Sequence, residues 1–259
     1  MSASKYYEAI SGVLAAINKQ EAGRIQAAGK LFAEAIGAGK RVYLFGSGHS
    51  VIPVLDIFPR YGSYIGFYPL CDPRLMWHNV IGPGGARELL WLERQQGYIQ
   101  QFLQSYSMEP GDCMLVFSHG GLNAAPVEAA LYAKQRGLKV VTVSSHANRR
   151  IAKVTHSSGK QLPDIADVAI DNCVPAEDSL VDIGQREKVA AGSTMAVVFI
   201  AMSLVAETAS QLAAQGIKLP IFVSPNVEGV APNHNLSVFD AYAEKWYERG
   251  PRPAAGAGK

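Results

Sequence analysis

The sequence predicts an α/β fold, a parallel sheet covered by helices on both faces. Three observations carry the prediction. Short β-rich runs alternate along the chain with helical stretches. The runs are apolar through their length, the pattern of strands buried on both faces. Two of them end directly in glycine-rich loops, and ligands of open parallel sheets sit beyond the carboxyl ends of strands.

Residues 5–36 read as helical, with Tyr6, Ile10, Leu14 and Ile17 close to 3.6-residue spacing. Gly37 and Gly39 end that region. Residues 41–45 (RVYLF) form the first strand and run into Gly46; a helical stretch and the apolar run 65–70 follow. A long helical stretch is expected over 87–106, with Glu93 in its middle. Residues 113–117 (CMLVF) are the next strand, 125–136 a helix, 139–143 (KVVTV) a strand and 167–170 (DVAI) a short one. Residues 193–214 are apolar nearly all round, which predicts a buried helix. Crossovers should be right-handed. With no internal repeat and no composition break, residues 1–249 read as one domain with an N-terminal helical arm and a C-terminal extension. Residues 250–259, rich in Gly, Pro and Ala, read as a disordered tail.

Composition narrows the function classes. The 259 residues suffice for one large core, and 48% apolar with 18% charged residues is ordinary for a globular chain. A net charge of +2 without a Lys/Arg run argues against nucleic acid as a partner. Cys71, Cys113 and Cys173 lie far apart, form no CxxC pair and suit a reducing cytosol. The start, MSASKYYEAISG, lacks a basic segment followed by an apolar run. The longest apolar stretch, 195–206, is about half of the ~20 residues a membrane span needs, and Ser203 interrupts it. The reading is a soluble, cytoplasmic chain without a membrane partner.

Two loops hold most of the chemistry-bearing residues. The first is GSGHS, made of Gly46, Ser47, Gly48, His49 and Ser50. Glycines let a backbone approach a ligand, free amides at a helix start favour an anion, and the serines add hydroxyls. Ser50 also suits an N-cap, and Pro53 the first helical turn. A plain strand-to-helix turn would use the same residues. The dinucleotide fingerprint is absent, because its third glycine would have to replace Val51. The second loop is SHGGLN, with Ser118, His119, Gly120, Gly121 and Asn123. Two such loops aimed at one sheet edge are more specific than either alone. A third segment, THSSGK (155–160), places an imidazole, hydroxyls and Lys160 within six residues. Lys160 is a candidate anion ligand there, and a polar surface loop is the simpler reading.

Glu93, in LLWLERQQGY, is a carboxylate among apolar groups. Burial would raise its pKa and fit it for acid/base work, although a structural Glu–Arg helix has the same pattern. Of the six histidines none stands at HxxxH or HExxH spacing. His234 lies in the Pro- and Asn-rich segment SPNVEGVAPNHN, where a lone His is usually solvated. Glu187 and Lys188 fit an ion pair as well as a ligand site.

Taken together, GSGHS and SHGGLNAAPVE resemble the ligand loops of the sugar isomerase (SIS) domain family. The similarity runs to about Asn235 and includes LMWH, LERQQGY, HSSGK, ADVAIDNCVP and SPNVEGVAPNHN. The resemblance implies a three-layer α/β/α sandwich with a five-stranded parallel sheet, flavodoxin-like in broad form. It implies homo-oligomers, dimer or tetramer, in which a neighbouring subunit often supplies a His. It places Ser47, Ser50, Ser118 and Asn123 at ligand-loop positions and Glu93 where relatives carry an acid/base glutamate. Two departures stand out. Gly120 replaces a hydroxyl that most relatives carry in the second loop. Val51, Leu55 and Asp56 occupy the helix positions where relatives carry a His and paired Glu, the zinc ligands of phosphoheptose isomerases.

The expectation is an aldose–ketose isomerase for a small anionic sugar, phosphorylated or sulfonated, working through an enediol. Glu93 is the candidate base, and His49, His119 or His234 the candidate for ring opening. Backbone amides at 46–50 and 118–123 hold the anion. No cofactor is expected, and catalysis without an obligatory divalent metal is favoured. A non-catalytic sugar-anion-binding module and a sugar-phosphate etherase or lyase are the alternatives.

Overall fold

The structure is a computed structural model that describes residues 1–248, so the tail expected over 250–259 lies outside the described residues. The first half of the chain runs α1 (Ser2–Gln20), α2 (Ala22–Gly37), β1 (Val42–Gly46), α3 (Val51–Ile57), β2 (Phe67–Pro69), α4 (Ala86–Leu92), α5 (Tyr98–Leu103) and β3 (Cys113–Phe117). The second half runs α6 (Ala124–Gln135), β4 (Lys139–Ser144), α7 (His146–Ile151), α8 (Leu162–Ile165), β5 (Val168–Asp171), β6 (Ser179–Val181), β7 (Val189–Ala191), α9 (Ser193–Ala214) and α10 (His234–Tyr247).

The first five strands form one wholly parallel sheet in the order β2-β1-β3-β4-β5. This is the flavodoxin-like order, with its switch point between β1 and β3. Every residue of β1 and β3 is buried, which is why these strands read as unbroken apolar runs. Their side chains divide between the faces as the two-residue period requires. Val42, Leu44, Leu115 and Phe117 join one core with α2, α3 and α9; Tyr43, Phe45, Met114 and Val116 join another with α5, α6 and α8. Pro69 sits in β2 at the sheet edge, where a missing amide is tolerated.

Helix α9 is long and apolar enough to cross a membrane by length and composition. It lies instead against α2, α3 and α1, with Ala196, Val197, Ile200, Ala201 and Leu204 in the first core. The three cysteines are free, and burial pushes the Cys113 thiol up to about 12 and the Cys173 thiol up to about 11.

Several elements depart from the expected pattern. The helical region over 5–36 divides at Glu21, a buried carboxylate that accepts from Arg24 (2.6 Å) and from the amide of Asp171 (3.2 Å). The long helix expected over 87–106 is two short ones. Gly97, at φ 87°, turns the chain between them, so Glu93 is the C-cap of α4 rather than a mid-helix residue. The β6–β7 hairpin and α10 were not expected as elements.

Candidate active site

The site grows from the carboxyl ends of β1 and β3, which are adjacent in the sheet. The chain leaves β1 through Gly46 and Ser47 into a 3-10 turn, Gly48–Ser50, and then α3. Gly46 permits this turn by lacking a side chain. A Cβ there would stand 2.1 Å from the carbonyl oxygen of Ser50. Ser50 occupies the N-cap position of α3, but its hydroxyl makes no capping hydrogen bond. The turn uses the amide of Ser50 on the Ser47 carbonyl (3.1 Å). His49 is exposed, and its ring stands edge-on to Trp77 at 4.4 Å. The Trp77 ring also lies over Gly48.

The second loop leaves β3 at Ser118 and enters α6 after Asn123. Its backbone is held on three sides. The amide of Gly121 donates to Ser118 Oγ (3.1 Å), Asn148 Nδ2 donates to the Gly120 carbonyl (2.9 Å), and the Leu162 amide donates to the Gly121 carbonyl (3.0 Å). His119 is committed at both ring nitrogens. Asn172 Nδ2 faces its Nδ1 at 3.2 Å, and its Nε2 faces the Ala176 carbonyl at 3.3 Å. Asn172 Oδ1 already accepts from the Val174 amide, so Asn172 donates to His119 Nδ1 and the imidazole proton lies on Nε2.

Glu93 joins the two loops. Ser47 Oγ donates to its Oε2 at 2.8 Å, and Asn123 Nδ2 donates to its Oε1 at 2.7 Å. Its backbone carbonyl accepts from the Ala125 amide at 2.9 Å, so the C-terminus of α4 meets the N-terminus of α6. Glu93 is only 7% exposed. Burial pushes its carboxyl above the usual range, partly opposed by the Ser47 hydrogen bond and the Arg94 charge. Each carboxylate oxygen accepts one side-chain hydrogen bond and retains a lone pair. The arrangement is a desolvated carboxylate held from both loops.

The remaining candidates, Lys160, Glu187 and His234, make no hydrogen bond to Glu93, Ser47 or Asn123. Lys160 and Glu187 are exposed; Glu187 pairs with Arg186 at 3.6 Å and is hydrogen-bonded to neither loop. His234 opens α10, and its Nε2 faces the Ile221 carbonyl at 2.8 Å. At the helix positions set against relatives' zinc ligands, Val51 is buried, Leu55 is half-exposed and Asp56 pairs with Arg60 at 2.6 Å. Among the described residues no three His, Cys, Asp or Glu side chains converge as a metal site would need.

Residues that sequence reasoning passed over also border the site. Trp77 walls the first loop; its signal was only an aromatic beside a His in LMWH. Glu128 lies in the first turns of α6, and its Oε1 accepts from the Gly97 amide at 2.6 Å. A carboxylate inside the apolar run AAPVEAALYA was its visible signal. His156, in the segment read as a surface loop, packs its ring against Glu128 with only 7% of the side chain exposed.

A sequence profile of the SIS domain matches residues 5–145. A UPF0309 protein of Caldanaerobacter subterraneus subsp. tengcongensis is 32% identical over 244 residues, covering 93% of this chain and 97% of its own. One of Halalkalibacterium halodurans is 31% identical over 247 residues, covering 95% and 99%. Two solved phosphoheptose isomerases share the fold at 15% identity, each matching 80% of this chain and 96% of its own. The Francisella tularensis structure has a TM-score of 0.51 and the Neisseria gonorrhoeae structure 0.52. The parallel sheet, the pair of loops at its switch point and these matches together establish that the chain belongs to the SIS-domain family.

Proposed function

We propose that the protein is an aldose–ketose isomerase for a small anionic sugar. The observation that carries the proposal is the buried Glu93 carboxylate held by Ser47 and Asn123, one residue from each ligand loop. The SIS-domain membership and the phosphoheptose isomerases of like fold support the same reading. Glu93 removes the C2 proton of the open-chain aldose, O1 gains a proton and an enediol forms. The enediol then loses its O2 proton, and Glu93 returns a proton to C1. A carboxyl raised by burial is a stronger base than a solvated one, and positioned proton transfer is worth about 10²–10⁴-fold. His49, exposed beside the first loop, is the group best placed to open the ring. His119 instead ties the second loop to the segment after β5.

The anion is assigned to backbone amides at 46–50 and 118–123 other than those of Ser50, Ser118 and Gly121, which already donate within the chain. Gly120 brings no hydroxyl to that cup. One lost hydrogen bond to a charged group weakens phosphate binding by roughly 1.5–3 kcal/mol, so a singly charged sulfonate is disfavoured less. We further propose a homo-oligomer. Ile52 and Leu55 on α3 stand 37% and 50% exposed, and Met195 on α9, which packs against α3, stands 49% exposed.

The test is a panel of hexose 6-phosphates and matching 6-sulfonates, titrated calorimetrically and followed by NMR in D2O. Ketose product with deuterium at C1, and deuterium at C2 of the re-formed aldose, supports the isomerase. Exchange with an unsaturated or cleaved product would make it a lyase, and binding without exchange would make it a sensor. Clearly tighter binding and faster turnover of the phosphates would show that the loss at Gly120 does not govern the choice of anion.

A further inference from the structure

The segment 155–158, between α7 and α8, touches three separate parts of the site through three consecutive side chains. Thr155 Oγ1 donates to the Leu122 carbonyl in the second ligand loop at 3.2 Å. His156 sets its Nε2 3.6 Å from Glu128 Oε1 on α6. Ser157 Oγ donates to Gln96 Oε1, three residues beyond Glu93.

The His156–Glu128 contact is buried, with side-chain exposures of 7% and 3%; at 3.6 Å it is a close polar contact, longer than a hydrogen bond, and among the described residues His156 Nε2 has no other partner. The Ser158 amide donates to His156 Nδ1 at 3.1 Å, so the neutral ring carries its proton on Nε2, towards Glu128. Glu128 in turn accepts from the Gly97 amide at 2.6 Å. Glu128 therefore fixes the far end of the turn 93–97, while the Ala125 amide fixes its near end at the Glu93 carbonyl. Within the turn the amides of Arg94 and Gln95 donate to the Trp91 and Leu92 carbonyls, and their side chains to the Leu90 and Trp91 carbonyls. Ser47 and Asn123 hold the Glu93 carboxylate itself, while Glu128 and the Ala125 amide hold the backbone turn that carries it.

We propose that residues 155–158 form a positioning strap, in which His156, through Glu128 and Gly97, sets the Glu93 carboxylate against the second ligand loop. The inference rests on the reading of Glu93 as the base. His156 and Glu128 are positioning residues, since Glu93 and not they would meet the sugar.

A polar loop of purely structural use would predict loss of stability alone. A positioning strap predicts loss of rate with folding and binding retained, because displacing a catalytic group by about 1 Å can cost on the order of 10²-fold. The variants are His156→Ala, Glu128→Ala, Glu128→Gln and Ser157→Ala, with Glu93→Gln as reference. Gln at 128 keeps an acceptor for the Gly97 amide. Ser157 is exposed, so its variant should fold even where a buried substitution does not.

The readouts are kcat and KM separately, and the titration midpoint of Glu93 by carbon-detected NMR of the ligand-free protein. The strap predicts that His156→Ala and Glu128→Ala lower kcat about tenfold to a hundredfold with KM nearly unchanged. It predicts that the Glu93 midpoint shifts towards the ordinary carboxylate range, that Glu128→Gln restores most of both, and that Ser157→Ala shifts both in the same direction by less. Folded variants with wild-type kcat and an unmoved Glu93 midpoint overturn it. So does an equal loss in Glu128→Gln and Glu128→Ala. The midpoint is read without turnover. If Glu93→Gln is as active as the wild type, the base assignment fails while the strap is still judged on the position of Glu93.

Discussion

At the scale of the residue, Glu93 sets function against stability. Its two hydrogen bonds come from donors, Ser47 Oγ and Asn123 Nδ2, that suit an ionised carboxylate. Burial nevertheless dominates and raises its pKa. A carboxyl with a raised folded pKa stabilises the fold most below its unfolded pKa and loses that contribution as pH rises through the folded value. Glu93→Gln removes the buried charge, and the new amide can donate to Ser47 while its carbonyl accepts from Asn123. The variant should therefore match the wild type in denaturant unfolding at acid pH and exceed it in stability at neutral pH. A variant less stable at neutral pH would mean that the hydrogen bonds, and not desolvation, govern this carboxylate. The sequence supplied the residue and its apolar neighbours. Its partners were not legible, because both come from loops 30 or more positions away.

At the scale of the element, legibility followed burial. β1 and β3 are buried at every position and were visible as RVYLF and CMLVF. Residues 193–214 form α9 as the apolar pattern predicted. The break between α4 and α5 was hidden, because apolar residues continue on both sides of Gln95, Gln96 and Gly97. The β6–β7 hairpin was hidden for the opposite reason: β7 is exposed throughout and carries no burial pattern. The polar neighbours of His156 fit a surface loop over 155–160, while its burial depends on Glu128, 28 positions earlier. The first loop depends most directly on one small residue. A methyl group at Gly46 meets backbone at Ser50 and cannot be relieved by a rotamer change. Gly46→Ala should cost about 1–3 kcal/mol of stability, the usual cost of overpacking, and should abolish anion binding by displacing Ser47 and the 3-10 turn. Denaturant unfolding and calorimetric titration measure the two effects; unchanged binding would remove the first loop from the anion cup.

At the scale of the whole molecule, the sheet order places the two loops side by side at the switch point, and Glu93 reaches them from between α4 and α5. His234 stands on α10 and bonds to neither loop within its own chain. The proposed homo-oligomer would offer it a neighbour's pocket. If a neighbour's pocket receives His234, His234→Ala is impaired, and subunits of Glu93→Gln and His234→Ala should regain a fraction of activity when mixed and re-formed. Absence of recovery after demonstrated subunit exchange would mean that each site is built within one chain. Glu93 is proposed to move the C2 proton of the aldose, and deuterium entering that position of the aldose in D2O reads this step. With a bound sugar from the panel in D2O, the account predicts exchange at C2 and ketose formation in the wild type. In Glu93→Gln it predicts near-complete loss of both, with calorimetric affinity retained. C2 exchange at the wild-type rate in a folded, ligand-binding Glu93→Gln protein would contradict it.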